Sequence, residues 1–233
     1  MAGSFPKIEC TVVVFITLLG KSMTEAAPRA YRSELRARQA RETRARIVAA
    51  SARLFATQGY QATTIAAIAR EAGVSAETVK TTAAKAELLI AAFEVTFSGA
   101  EGADSLTDTE VAAGVLDLPD DVFLDAVLTQ ITTANARGHG LWTVLLGAAL
   151  SDPVVDEALR RILERRSADY RGLVSELVRR GIAAPADEAS TADALSFLLS
   201  PESYQQLVAQ SGWTADRYAT WLRTAVIAEV TPA

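Results

Sequence analysis

The spacing of apolar residues predicts helices along most of this chain of 233 residues. Ile65, Ile68 and Ala69 recur at intervals of three and four, which places their side chains on one face of an α-helix. Short amphipathic segments of this kind occupy residues 41–100, and longer ones follow from residue 120 onward. Alternating strand patterns are almost absent. The pattern therefore predicts an all-α protein.

Residues 64–83 predict two short helices joined by a tight turn. Thr63 or Thr64 supplies a hydroxyl that can cap the first helix, and Ser75 can cap the second. Gly73 stands between them, where the turn needs a residue that accepts a positive φ. This is the layout of a helix-turn-helix, whose second helix enters the major groove of DNA with its N-terminal residues.

The segments around this motif resemble a known family. LFATQGYQATTI precedes the motif, IAREAGVS lies within it, and KAELL opens a further helix after it. In this order they resemble the N-terminal domain of the tetracycline-repressor (TetR) family of transcription regulators. The resemblance covers residues 41–100. It implies a three-helix DNA-binding domain with its helix-turn-helix at 64–83, and a helical regulatory and dimerisation domain over 101–233.

One departure from the family pattern lies after the recognition helix. Members usually carry a Tyr that touches a phosphate and a Phe that anchors the helix to the domain core. Residues 78–85 here read TVKTTAAK, which is one residue shorter and contains neither aromatic residue. The departure leaves an alternative open, namely a helical ligand-binding or scaffolding protein whose head has lost DNA binding.

The candidate DNA contacts follow from the chemistry of the side chains. Hydroxyls can donate to or accept from bases and phosphates, ammonium groups bind phosphates, and a carboxylate can accept from a cytosine amine. The candidates for base edges or neighbouring phosphates are Ser75, Glu77, Thr78 and Thr81. Glu77 has a second explanation, because the helix dipole favours an acid in a first turn. The candidates for phosphates are Thr63, Thr64, Lys80 and Lys85.

Charge is divided unevenly along the chain, whose net charge is −5. Between Arg29 and Leu88 there are eleven Lys and Arg residues against five acids, a balance of +6. From Leu89 onward ten basic residues stand against twenty-one acids, a balance of −11. A basic head on an acidic body suits a protein that presents one face to phosphates. An arginine-rich, solvated helix would also explain the basic run between residues 29 and 46.

The first residues and the missing motifs narrow the class of protein further. The apolar run Cys10–Gly20 is shorter than the roughly 20 residues that span a bilayer. Met23 begins a segment typical of a natural start, so residues 1–28 are predicted to be a disordered tail or an over-extended start. The chain has a single histidine and a single cysteine, and it has no nucleotide-binding or G-x-S-x-G motif. We therefore predict that the protein is not an enzyme and binds no metal and no cofactor. We predict a cytoplasmic protein without a membrane partner.

The second half of the chain predicts several further helices. Residues 98–119 read as a linker with one short helix near 107–116, and His139 reads as part of a junction between two helices. The predicted helices cover 85–97, 120–136, 141–150, 153–180, 188–199, a segment from 201, and 214–229. In relatives the last two long helices pair across a two-fold axis, so the resemblance implies a homodimer. The apolar residues that could serve that dimer face, or else close the body's own core, are Leu195, Phe197, Leu198, Trp221 and Leu222.

Apolar faces of three successive helices indicate a site for a small, largely apolar molecule of unknown identity. A filled core without a cavity would give the same stripes. The candidate pocket residues are Phe123, Val127, Ile131, Asn135, His139, Trp142, Leu145 and Tyr170. The sequence thus predicts a transcriptional regulator, in particular a repressor, that binds a double-stranded DNA operator as a homodimer and is released by this effector.

Overall fold

A computed structural model describes residues 27–110, 112 and 114–231, with side chains from residue 33 onward. These residues form helices and turns and contain no strand, so the all-α prediction is confirmed. The prediction of a disordered tail or over-extended start falls almost entirely on residues 1–26, which lie outside the described residues. None of the described helices is long and apolar enough to cross a membrane.

The described chain forms two compact units that divide between Thr43 and Arg44. In the first unit, the N-terminal part of α1 is exposed, and Arg38 pairs with Glu42 at 3.7 Å. All other elements belong to the second unit. The helices are α1 Ala27–Ala62, α2 Ile65–Ala72, α3 Ala76–Thr82, α4 Lys85–Ser98, α5 Asp120–Ala149, α6 Pro153–Arg179, α7 Glu188–Leu198, α8 Pro201–Tyr204 and α9 Ala215–Val230, with a 3-10 turn at Leu106–Asp108 and a π-helical turn at Gln205–Gln210.

Within the second unit, residues 44–98 form a head and residues 99–231 form a body. The head has its own stripe of fully buried side chains, contributed by each of its four helices. Their burial explains why α2 and α3, which are too short to be stable alone, hold together with α1 and α4. The fully buried side chains of the head include Ile47, Phe55, Ile68, Val79, Leu88 and Leu89.

The body is built on two long helices, α5 and α6, with α7, α8 and α9 against them. α6 begins where the sequence predicts, because the Asp152 carboxylate accepts from the backbone N–H groups of Val154 and Val155 and Pro153 occupies the first turn. The side chains buried deepest in the body include Phe123, Val174, Leu177, Leu195, Tyr218 and Leu222.

The predicted break near His139 is wrong. α5 runs without interruption from Asp120 to Ala149, so His139 lies inside a helix rather than at a junction. Glycine weakens a helix by about 1 kcal/mol, which is why two glycines indicated an end. Here Gly138 serves packing, because a Cβ at this position would stand 2.9 Å from the ring of Phe97 in α4. Close approach of α4 to α5 therefore requires the glycine that indicated a break.

The short helix predicted at residues 107–116 is also wrong. The chain makes only a 3-10 turn at Leu106–Asp108, and its described residues continue in turns as far as Leu118. Gly114, with φ 71°, takes a left-handed conformation that interrupts the regular geometry of an α-helix, as Gly59 does at the kink near the end of α1. The segment 101–118 therefore crosses the body as an irregular strap.

Candidate functional site

The helix-turn-helix has the caps and the turn that the sequence predicts. Thr64 caps α2, because its hydroxyl oxygen accepts from the backbone N–H of Ala67 at 3.1 Å. Ser75 caps α3 in the same way, with the N–H of Thr78 at 3.0 Å. Between them Gly73 has φ 66° and ψ 39°, a left-handed conformation that glycine adopts without strain. Local hydrogen bonds thus fix the angle between α2 and α3.

The recognition helix α3 presents polar side chains outward and one apolar residue inward. Val79 is fully buried in the head, whereas Ser75, Glu77, Lys80 and Thr81 are exposed. Thr78 is half-buried, and its hydroxyl lies 2.8 Å from that of Ser75. Five of the eight predicted DNA contacts therefore stand together on one short helix.

Thr63 does not belong to this exposed group. Its side chain is fully buried, and its hydroxyl donates to the carbonyl oxygen of Gly59 at 2.8 Å. That bond closes the irregular turn at Gly59, whose φ is 75°. The prediction that Thr63 offers its hydroxyl to a phosphate does not fit this position, because the hydroxyl already serves the end of α1.

Lys85 is half-buried at the start of α4. Its ammonium nitrogen lies 4.4 Å from the centroid of the Tyr60 ring and 3.4 Å from the carbonyl oxygen of Gln61. Burial lowers the pKa of Lys85, while the nearby Asp152 carboxylate opposes that shift. The Tyr60 hydroxyl donates to Asp152 at 2.6 Å, which lowers the pKa of that carboxyl. Lys85 therefore lies in a polar cluster between head and body.

Arg44 holds the end of the recognition helix, where the family's aromatic anchor is missing. Its guanidinium donates to the carbonyl oxygen of Thr82 at 3.3 Å and forms two bonds with the carboxylate of Glu101, which raise the pKa of Arg44. Ala83, directly after the helix, is buried. The sequence did not reveal this role, because Arg44 is one of several arginines in a basic run and nothing marks it out.

Two adjoining cavities are lined by residues of the body, and the smaller one also by α4 of the head. The smaller has a volume of about 80 Å³ and is bordered by α4, α5 and α6. The larger has a volume of about 510 Å³ and lies between α5, α6 and the strap formed by residues 101–118. Both are lined by Ser105, Leu106, Asp169 and Tyr170, so they meet at these residues.

The predicted pocket residues are divided between cavity walls and solid core. Phe123, Val127 and Ile131 line the larger cavity. Trp142 lines the smaller cavity, and Tyr170 lines both. The three remaining residues line neither cavity.

These three residues have structural contacts instead. The Asn135 amide donates to the carbonyl oxygens of Leu199 and Ser200 at 3.0 and 3.2 Å. His139 Nδ1 lies 2.5 Å from Gln205 Oε1. Leu145 is fully buried in the core. The sequence positions of these residues alone do not distinguish them from residues that line the cavities.

Side chains of α6 hold the strap in place over the larger cavity. Arg165 donates to the carbonyl oxygen of Ala103 at 2.6 Å. Asp169 accepts from the Ser105 hydroxyl at 2.5 Å and from the backbone N–H of Leu106 at 3.1 Å. Arg180 donates to the carbonyl oxygens of residues 116 and 118 at 2.5 and 2.8 Å. The strap is thus attached at three levels along one helix.

An exposed, capped helix-turn-helix on an all-α chain with a cavity-bearing body defines a class, the DNA-binding regulators. Residues 47–80 match the sequence profile of the bacterial regulatory proteins of the tetR family. The resemblance of this segment to the TetR family of transcriptional regulators, which the sequence predicts, is therefore confirmed. No curated protein sequence matches it.

Solved structures share the fold at low sequence identity. A protein of Pseudomonas aeruginosa PAO1 named as a transcriptional regulator is 19% identical, with a TM-score of 0.60 over 78% of this chain and 88% of its own. NalD of Pseudomonas aeruginosa, the secondary repressor of the MexAB-OprM multidrug efflux pump, is 16% identical, with a TM-score of 0.59 over 83% and 98%. A Clostridium perfringens protein named as a fatty acid metabolism regulator is 14% identical, with a TM-score of 0.55 over 81% and 100%.

Proposed function

We propose that the protein is a cytoplasmic repressor that binds a near-palindromic operator as a homodimer and releases it when a small, largely apolar molecule enters the body. The observation that carries this proposal is the capped recognition helix α3 with its exposed polar face. A helix of this kind can enter the major groove only if its outer side chains are free of the core. Only Val79 of α3 is buried, which leaves the other side chains available.

The DNA contact proposed for each side chain in and near α3 follows from the chemical group that it carries. Ser75, Glu77, Thr78 and Thr81 would meet base edges or neighbouring phosphates. Thr64 and the ammonium group of Lys80 would bind phosphates, which position the helix without reading sequence. Lys85 would do the same only after leaving the Tyr60 ring, so its contribution would be smaller than that of Lys80.

The homodimer rests on the C-terminal helices. In α7, the Phe197 side chain is 62% exposed, whereas Leu195 is fully buried in the body. In α9, Trp221 is half-buried and Leu222 is fully buried. Exposed aromatic side chains of this kind are enriched at protein interfaces. Leu198 is half-buried as well, so Phe197, Leu198 and Trp221 are the predicted dimer residues that a partner would cover.

Relief by a ligand rests on the larger cavity. Its volume of about 510 Å³ falls within the range of about 300–1,000 Å³ that ligand sites occupy. A ligand could release DNA only by binding better to the form that does not bind the operator. NalD, which shares the fold, is named as a repressor, and this supports the choice of repression over activation.

The test is the affinity for the DNA beside the protein's own gene, measured by fluorescence anisotropy over a series of salt concentrations. With four to eight phosphate contacts per dimer, the logarithm of affinity should fall with the logarithm of salt concentration by about 0.9 per contact. Lys80→Ala should weaken binding to all sequences and reduce the slope. Thr78→Ala should change the preference among sequences.

A flat salt response would contradict DNA binding of any kind and would favour the alternative, a helical protein whose head has lost this function. Equal losses for Lys80→Ala and Thr78→Ala on all sequences would contradict the roles assigned within α3. Phe197→Asp, examined by analytical ultracentrifugation, should shift the protein from dimer to monomer, whereas an unchanged mass would remove Phe197 from the interface.

A further inference from the structure

A residue that lines the smaller cavity has a buried polar group without a hydrogen-bond partner among the described residues. Trp142 is 2% exposed and lines this cavity. Within the described part of the chain, its indole N–H has no hydrogen-bond acceptor. Such buried donors are rare in folded proteins because burial removes them from water without replacement. The group therefore calls for an acceptor from outside the described chain.

The charged groups around Trp142 are already paired, because Arg166 donates to Glu202 at 3.2 Å and Arg165 donates to Glu94 at 3.0 Å. The guanidinium of Arg166 lies 5.5 Å from the centroid of the Trp142 ring, and Arg165 lines the same cavity. The acceptors in this wall are already engaged. Glu94 accepts from Arg165 and from the backbone N–H of residue 102, and Asp169 accepts from residues 105 and 106 of the strap. A molecule entering here would therefore find the Trp142 N–H as a donor without a partner, and few acceptors to use.

The larger cavity offers a different chemistry to the same molecule. Its deep wall is apolar, formed by Phe123, Val127 and Ile131. It meets the smaller cavity at Tyr170, whose own hydroxyl already donates to the carbonyl oxygen of Leu199 at 3.3 Å. With volumes of about 510 and 80 Å³, the pair of cavities has room for a chain in one and a small end group in the other.

We propose that the body binds a molecule with an apolar chain and a terminal carbonyl or carboxylate oxygen. The chain lies in the larger cavity, and the oxygen accepts a hydrogen bond from the Trp142 indole N–H beside Arg166. This inference rests on the proposed function, because it names the chemical class of the ligand that would relieve repression. The ligand oxygen supplies an acceptor for the Trp142 N–H, which the engaged carboxylates of Glu94 and Asp169 do not provide.

Calorimetric titration of the full chain with three probes of equal chain length tests the assignment. The probes are methyl decanoate and decanoate, which carry acceptor oxygens, and decylammonium, whose end group only donates. The first two should bind more tightly than the third. Trp142→Phe keeps the aromatic volume and removes the N–H, so it should weaken methyl decanoate binding by about threefold to tenfold. The same substitution should leave decylammonium binding unchanged.

Two variants separate the parts of the site. Arg166→Gln should weaken decanoate more than methyl decanoate if the carboxylate is the natural end group, and both equally if a neutral carbonyl is. Trp213→Phe, which lies just before α9 and lines neither cavity, should change neither affinity. NMR of the unsubstituted protein gives a test that does not depend on the folding of a variant. On addition of methyl decanoate, the chemical shift of the Trp142 indole N–H should change. The chemical shifts of the Trp213 and Trp221 indoles should stay the same.

The proposal is overturned if Trp142→Phe binds methyl decanoate as well as the parent does, or if the Trp142 indole signal does not move. It is equally overturned if none of the three probes binds. The operator affinity of the ligand-free protein is measured in parallel. It distinguishes a failure of the ligand proposal from a failure of the proposed DNA binding. DNA binding without probe binding refutes the ligand class alone, whereas probe binding without any effect on the operator refutes relief but not the site.

Discussion

The head and the body are both bundles of helices, but they bury their apolar residues in different ways. In the head, short helix segments are held at fixed angles by caps and turns around fully buried side chains such as Phe55 and Leu88. In the body, longer helices leave two cavities beside equally buried residues such as Phe123. A tightly filled core resists deformation. The two cavities therefore leave the body more room than the head to change its packing.

Polar contacts connect the two regions near the recognition helix. Arg44 joins the end of α3 to Glu101 at the start of the strap. Tyr60, at the end of α1, donates to Asp152 at the start of α6. Each contact ties an element that borders a cavity to an element that positions α3. A change in the body that moved the strap or α6 could therefore reach the head through these side chains, and also through the apolar core that Trp142 and Val155 share with Phe55.

The largest expected effect comes from truncating one phenylalanine in each region. Phe55→Ala should lower the free energy of unfolding by about 3–5 kcal/mol, because it opens a void in a filled core. Phe123→Ala should cost about 1 kcal/mol less, because one side of this ring already borders a cavity and makes fewer contacts. Urea unfolding followed by circular dichroism measures both. Equal costs, or a larger cost at Phe123, would refute the contrast between the two cores.

A smaller effect is expected from removing the Arg44 contacts. Arg44→Met should lower operator affinity by about threefold to tenfold, because α3 loses the hydrogen bond at its C-terminal end. Arg46→Met removes the same charge from an exposed neighbour and serves as the control. Anisotropy titrations at one salt concentration compare the two. If both variants lose affinity equally, Arg44 acts only through its charge.

The smallest effect concerns pH and the attachment of the strap. Hydrogen bonds from Arg179 and Arg180 lower the pKa of Glu176 to about 2. Because the folded-state pKa is depressed, the carboxylate stabilises the fold above its unfolded pKa of about 4.3. The stabilising contribution of the Glu176 carboxylate is lost as the pH falls from about 4.3 toward 2.

Glu176→Gln should therefore be less stable than the parent protein at pH 7. The difference in the free energy of unfolding should narrow as the pH falls below about 4.3. Urea unfolding at several pH values measures this, with the exposed Glu164→Gln as a matched control. A difference that stays constant between pH 7 and pH 3 would show that Glu176 titrates normally.

The ease of prediction also differs between the two regions. The caps at Thr64 and Ser75 and the turn at Gly73 depend on hydrogen bonds within a few residues, so the local sequence carries them. The Arg44 contacts join residues 38 and 57 positions apart, and no local pattern contains them. Thr63 shows the same limit, because a capping hydroxyl and a buried one look alike in a sequence.

In the body, tertiary packing overrides local preference. Gly138 would weaken α5, but its contact with Phe97 requires a residue without a side chain, so the helix continues where the sequence predicts an end. The cavities could not be predicted, because the stripe of Phe123, Val127 and Ile131 would look the same against a filled core. What decides between the two is the position of the strap, which has no periodic pattern.

The most direct test of the account is a footprint on the DNA beside the protein's own gene, made with the parent protein and with Thr78→Ala. The account predicts protection of two half-sites whose centres lie about 34–36 Å apart or a multiple of that distance. It further predicts a weakened or altered footprint for the variant while its circular dichroism spectrum stays unchanged. A folded parent protein that protects no segment at low salt, or a footprint that Thr78→Ala leaves identical, would contradict the claim that α3 binds the operator.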